Sequence, residues 1–262
     1  MTRAPATTTM PLTLRDKIVV VTGGGQGIGR AYAHRVAAAG GTALIGDLNE
    51  DAGTRVVEEI QAGGGRAEAF GLDVGDADSC AAAAHAWTKA YGRVDGLVNN
   101  AAIFSTISMK PFWEITVAEW DRLMAVNLRG PWLVTSALLP ALRAASTASV
   151  VNIASDAVWL GRGGYLHYVA SKAGVAGMSH SMAHELGGDN IRVNTVSPGP
   201  IYTEVERATV SPEQKAAMQA AQSLHRDGTP DDVVGAVAFL LSDDSSYISG
   251  QTLHINGGLL HR

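Results

Sequence analysis

The sequence predicts one α/β domain built on a parallel sheet with helices covering both faces. Seven short, β-rich apolar runs recur along the chain, and Ala-rich stretches of helical period lie between them. Strands this uniformly apolar are buried on both sides, as in parallel sheets. No linker or repeat period interrupts the alternation, so one domain is expected.

In chain order, residues 1–13 carry several Thr and no apolar run and read as a flexible leader, with the domain occupying 14–262. Strands are expected at 18–22, 42–46, 67–72, 96–99, 149–154, 191–196 and 252–255. Helices are expected at 29–39, 51–62 and 76–91, and two longer ones at 117–144 and 168–186. Small residues on the last of these (Ala170, Ser171, Ala173, Gly174, Ala176, Gly177) admit close packing by the chain's own sheet or by a neighbouring subunit. Residues 200–228 carry Pro, Thr and Glu without strand pattern and read as a flap.

Composition narrows the function classes. The 262 residues are 46% hydrophobic and 17% charged, enough apolar surface for a full core. A net charge of −5 without a Lys/Arg stripe argues against nucleic-acid binding. Cys80 is the single cysteine, so no intrachain disulfide is possible and no oxidising compartment is needed, and no Cys/His cluster has metal-ligand spacing. No secretory h-region and no run of about 20 apolar residues is present, so a cytoplasmic protein that does not cross a membrane is expected.

The first expected strand runs into Gly23-Gly-Gly-Gln26-Gly27-Ile28-Gly29 and then a helix. Glycines let the backbone approach a pyrophosphate, and a helix N-terminus offers free N–H groups and a positive dipole end. A purely structural glycine turn would look the same, and the spacing is not G-x-G-x-x-G. Asp47 ends the second strand about 20 residues on, where a carboxylate suits two ribose hydroxyls. With no Arg or Lys in the turn, and Leu48 and Asn49 following, NAD is favoured over NADP. The alternative is a plain strand-end Asp. Asp73-Val74 follows the third strand and is a candidate for the adenine edge.

Tyr168 and Lys172 stand at i and i+4, one helix face with about 6 Å of rise between them. A nearby cation favours a phenolate, and such a phenol can exchange a proton with an alcohol. Ser155, just after the fifth strand, can donate to the same substrate oxygen. A surface Tyr/Lys pair would share this spacing by chance.

Together these residues resemble the short-chain dehydrogenase/reductase family from about Leu14 to Gly258. The matching motifs are Thr22-Gly23-x3-Gly27-Ile28-Gly29, Asp73-Val74, Asn99-Asn100-Ala101, Asn127, Ser155, Tyr168-x3-Lys172, Pro198-Gly199, Thr203 and Gly250-Gln251-x4-Asn256-Gly257-Gly258. The resemblance implies a single seven-stranded Rossmann-type domain, an NAD cofactor and a homotetramer. It implies Tyr168 as general acid/base, Lys172 on the nicotinamide ribose and favouring the phenolate, Ser155 on the substrate oxygen and Asn127 holding a relay water. Asn100 would flank the cofactor, Thr203 would reach the carboxamide, and Gln26, Pro198, Gly199 and Ile201 would line the same site. Asn127 by itself reads as an ordinary helix-interior Asn. Ala102 stands where the family often has glycine.

The substrate is least legible. Phe104, Trp159, Leu160 and Tyr202 are candidates to line an apolar pocket, and each can equally pack the flap onto the body. Residues 159–172 and 257–261 look similar to family members acting on aromatic or alicyclic secondary alcohols. The expected activity is therefore interconversion of a small apolar secondary alcohol and its ketone. The alternatives are a 3-oxoacyl-thioester ketoreductase, disfavoured by Asp47 and the acidic balance, and a non-catalytic NAD sensor, which would not need Ser155, Tyr168 and Lys172 together.

Overall fold

A computed structural model of the chain describes residues 13–205 and 210–261. Residues 1–12 of the expected leader and 206–209 of the expected flap lie outside them. Seven strands, β1 (Ile18–Thr22), β2 (Thr42–Asp47), β3 (Arg66–Gly71), β4 (Gly96–Asn99), β5 (Ala148–Ile153), β6 (Ile191–Pro198) and β7 (Thr252–Ile255), pair in parallel in the order β3-β2-β1-β4-β5-β6-β7. The helices are α1 (Gly27–Ala38), α2 (Glu50–Ala62), α3 (Ala77–Tyr91), α4 (Val117–Met124), α5 (Gly130–Arg143), α6 (Ala157–Leu160), α7 (Leu166–Leu186), α8 (Pro212–Ala221) and α9 (Pro230–Leu241). Among the described residues no helix is long and apolar enough to cross a membrane.

All five residues of β1 are buried, because alternate side chains enter two cores. Val19 and Val21 pack with Tyr32 and Val36 of α1, Val56 of α2 and Val237 of α9. Val20 joins Leu44, Leu97 and Val150 against Trp87 of α3 and Leu138 of α5. Burying each such aliphatic side chain contributes about 1.5–3 kcal/mol. The edge strand β3 alternates instead, with Arg66 and Glu68 exposed and Ala67 buried.

Local chemistry sets the helix starts. The Asn49 side chain accepts the Ala52 N–H, Asp76 accepts from Asp78 and Ser79, and Thr116 and Glu119 form a capping box at α4. The long helix expected over 117–144 is corrected to α4, a π turn over Ala125–Arg129, and α5. Pro131 lies at the start of α5 and has no N–H for the carbonyl of Asn127, four residues back, so the ladder loosens there.

The chain builds β2 and β3 on one side of β1 and then crosses to β4 on the other. That reversal opens a crevice outside the carboxyl ends of β1 and β4, where ligands bind in sheets of this kind.

Candidate active site

The crevice is a cleft of about 1380 Å³. One end is formed by the turn from β1 into α1. Gly23 has φ +63°, and a Cβ there would sit 2.8 Å from the Ala101 Cα. At Gly29 a Cβ would strike the Gly23 carbonyl and the Asn100 amide, so only glycine lets α1 begin this close to β1. Asn100 clamps the arrangement, donating from Nδ2 to the Thr22 and Gly23 carbonyls at 3.0 and 3.1 Å. Thr22 Oγ1 accepts the N–H groups of Asn100 and Ala101 at 3.0 and 3.1 Å.

The N-terminus of α1 has no side-chain cap and no acidic residue in its first turn. The Gly27 N–H instead donates to Glu204 Oε1 at 2.8 Å, a carboxylate brought from beyond β6. Free N–H groups, a positive dipole end and glycine-lined space fit the pyrophosphate of a dinucleotide, another anion. Asp47 closes this end. Its Oδ2 accepts the Gly25 N–H at 2.8 Å and its Oδ1 the Asn49 N–H at 2.9 Å, so the carboxylate is fixed at the cleft wall. Asp73 and Val74 line the cleft beyond it, Asp73 Oδ1 accepting the Gly75 N–H at 2.8 Å.

At the other end, Ser155 follows β5 and Tyr168 and Lys172 face the cleft from α7. Ser155 Oγ accepts the Ala157 N–H at 3.3 Å. The Tyr168 ring is buried against Phe104, 4.8 Å between centroids, and Tyr165, 5.6 Å. Lys172 is buried, and its Nζ donates to the Ile153 carbonyl at 2.7 Å. Burial without a counter-charge pushes its ammonium down to about 8. Pro198, Gly199, Ile201 and Thr203 line the remaining wall. A Cβ on Gly27 would lie 3.8 Å from Thr203 Oγ1, so the chain after β6 folds over the glycine turn.

The cleft thus brings together Gly23, Gln26, Gly27, Ile28 and Gly29 with the carboxylates, the β6 wall and the Ser155/Tyr168/Lys172 group. Ala102 also lines it. Asn127 lies behind the wall, in the π turn. It is fully buried, with Oδ1 accepting the Ile103 N–H at 2.7 Å and Nδ2 donating to the Ile103 carbonyl at 3.1 Å. Of the substrate candidates, Phe104 lines the cleft and the other three do not. The Trp159 ring packs edge-on against His254, 4.5 Å between centroids, and Leu160 is turned partly to solvent. Tyr202 sits under the Lys215 ammonium, 4.1 Å from the ring centroid. Both rings found a partner in the body or flap, which is the packing alternative.

Sequence reasoning passed over Glu204, at the phosphate end, and Arg122, in the cleft lining. Leu48, used above only for the absence of a cation after Asp47, itself lines the cleft and is 75% exposed. Among the described residues, no group of three or more His, Cys, Asp or Glu could hold a metal ion.

Comparison with known proteins gives the family. A family model described as enoyl-(acyl carrier protein) reductase matches residues 23–260. The chain is 36% identical to a 3-oxoacyl-[acyl-carrier-protein] reductase of Thermotoga maritima over 94% of its own length and 99% of the relative's. It is 35% identical to a cyclopentanol dehydrogenase of a Comamonas species, over 94% and 97%. The solved structure of a 7α-hydroxysteroid dehydrogenase complexed with NADH and 7-oxo glycochenodeoxycholic acid superimposes with a TM-score of 0.89 at 33% identity, covering 94% of this chain and 95% of that one. The seven-stranded parallel fold, the nucleotide cleft and these relatives mark an oxidoreductase of CH–OH groups, and the chain belongs to the short-chain dehydrogenase/reductase family.

Proposed function

We propose that the chain is an NAD-dependent oxidoreductase that interconverts a small apolar secondary alcohol, aromatic or alicyclic, and its ketone. The observation that carries the reading is the convergence of Ser155, Tyr168 and Lys172 on a cleft whose opposite end holds Asp47 beside the glycine turn.

A bound nicotinamide supplies or accepts the hydride. The Tyr168 phenol gives a proton to the ketone oxygen, or takes one from the alcohol. The Ser155 hydroxyl donates a hydrogen bond to that oxygen and holds it near the phenol. Lys172, anchored on the Ile153 carbonyl, keeps a cation beside Tyr168 and favours the phenolate. Asn127 holds the backbone of Ile103 and so supports the wall carrying Phe104. Asp47 accepts hydrogen bonds from two adenosine ribose hydroxyls and repels a 2′-phosphate. Ile103 and Phe104 give the substrate end its apolar lining.

A homotetramer is part of the reading. Trp132 of α5 and Val117 of α4 are 51% and 76% exposed, apolar surface that a neighbouring subunit would cover. Light scattering at micromolar concentration checks this, and the mass of one chain contradicts it.

Similarity to an acyl-carrier-protein reductase is as high as to an alcohol dehydrogenase, so an acyl thioester belongs in the test. NADH oxidation is measured over alicyclic ketones, aryl ketones and acetoacetyl thioesters, beside NAD reduction over the matching alcohols. Turnover of the ketones ahead of the thioesters supports the proposal. The reverse order gives the ketoreductase reading, and binding of NADH with no turnover gives the sensor.

A further inference from the structure

Asp156 follows Ser155 directly and is 1% exposed, yet no step above uses it. A buried carboxylate has acceptor sites only and is costly unless donors meet it. Three do. Oδ1 accepts from Ser197 Oγ and from His254 Nδ1, each at 2.7 Å, and Oδ2 accepts from Asn256 Nδ2. Ser197 is on β6, His254 on β7, and the two are register partners. One carboxylate therefore ties the ends of three neighbouring strands.

The backbone repeats the connection. The Asp156 N–H donates to the Pro198 carbonyl at 3.0 Å, and the Ala154 N–H donates to the Val196 carbonyl at 2.8 Å. Ser155 is held between these two bonds. On the far side, the Gly199 N–H donates to the Ile255 carbonyl at 2.8 Å, and a Cβ on Gly199 would sit 2.8 Å from the Asn256 Cα. Asn256 Oδ1 accepts the Gly258 N–H at 2.9 Å. Residues 257 and 258 in turn hold the flap, through Leu224 N–H to Gly257 at 2.8 Å and Ser223 Oγ to Gly258 at 3.2 Å. The Trp159 ring covers His254, so the aromatic beside Ser155 shields this network.

The geometry points to Asp156 and His254 as positioning residues that hold the Ser155 hydroxyl and the Pro198–Gly199 wall in one fixed relation. This rests on the reading of Ser155 given above. A carboxylate suits the centre because every neighbour is a donor. His254 supplies the donor that bridges from β7, and removing it takes one of two donors from Oδ1, leaving Ser197 and Asn256 to orient the carboxylate and loosening its hold on the segment that carries Ser155. A displacement of about 1 Å at a reacting centre costs up to roughly a hundredfold in rate.

The test compares His254→Leu with His254→Asn in the full chain. Asparagine sets an N–H close to where the histidine Nδ1 stands, and leucine fills the space without a donor. Active sites are counted by NADH titration, and kcat and KM are measured with a ketone that the parent reduces. His254→Leu is expected to lower kcat per NADH site by roughly tenfold or more, with NADH affinity within about twofold, and His254→Asn to restore kcat to within about threefold of the parent. A purely structural role would lower the number of NADH sites and leave kcat per site unchanged. A His254→Leu kcat within twofold of the parent, or equal losses in both variants, overturns the proposal. Hydrogen exchange in a peptide covering 154–160 reads the same positioning without turnover. Faster exchange in His254→Leu than in His254→Asn and the parent supports it, and equal exchange in all three overturns it. A parent that reduces no ketone would strike the reaction proposed for the cleft, and the exchange comparison would still decide the role of His254.

Discussion

Lys172 Nζ donates to the Ile153 carbonyl at 2.7 Å, which fastens α7 to β5 two residues before Ser155. The cation is thereby spent on backbone rather than on a carboxylate, and burial brings its pKa down to about 8. In the unfolded chain a lysine keeps its proton to about 10.4. Between those values the unfolded state binds more protons than the folded one, so the Lys172 contribution to stability rises with pH across that window. Below about 8 both states are protonated and the burial penalty is fully present.

Lys172→Met removes this dependence. Unfolding free energies at pH 7 and pH 9.5 should differ between parent and variant, with the parent gaining on the order of 1–2 kcal/mol relative to Lys172→Met at the higher pH. Burial pushes the Cys80 thiol up to about 11, and burial with the Glu68 hydrogen bond pushes the Tyr91 phenol up to about 12, so both work in the opposite sense. They are common to both proteins and cancel. A parent–variant difference that is constant with pH would show that Lys172 titrates as an ordinary exposed lysine.

Glu204 occupies the N-terminus of α1 through the Gly27 N–H at 2.8 Å, where the pyrophosphate of a dinucleotide would compete with it. Glu204→Ala should therefore tighten NADH binding by about two- to fivefold, the scale of an exposed charged contact. Energy transfer from tryptophan to bound NADH measures it. Weaker binding in the variant would mean that Glu204 helps to hold the cofactor.

Much of this architecture was legible because it depends on neighbours in sequence. β1, β4 and β7 have the expected bounds: β1 is an unbroken β-branched run that ends at the Gly23 turn, and Gly250 and Gly257 bracket β7. The glycine turn, Asp47 and the Tyr168/Lys172 pair are also local patterns, and all line one cleft. What stayed hidden depends on contacts far apart in the chain. The Asn127 side chain answers to the Ile103 backbone, 24 residues away. The partners of Asp156 lie 41 to 100 residues on. Trp159 sits beside Ser155 in sequence, but His254 decides where its ring goes.

Asp47 is held by the Gly25 and Asn49 N–H groups, and among the described residues the cations lining the cleft are Arg122 and Lys172, neither in the glycine turn nor directly after Asp47. The parent should prefer NAD to NADP by at least about tenfold in kcat/KM, the scale of one charge-assisted hydrogen bond. Asp47→Ala should shrink that ratio by weakening NAD and relieving NADP together. Equal efficiency with both cofactors in the parent would show that Asp47 does not face the ribose.

The central claim is that Tyr168 moves the proton in a cleft assembled for hydride transfer, and Tyr168→Phe tests it most directly. The variant keeps the ring that packs on Phe104 and Tyr165 and removes only the hydroxyl. NADH binding should stay within about twofold of the parent while ketone reduction falls by about 10²–10⁴-fold, the usual span of general acid–base catalysis. Turnover within twofold of the parent at unchanged NADH affinity would take Tyr168 out of the reaction.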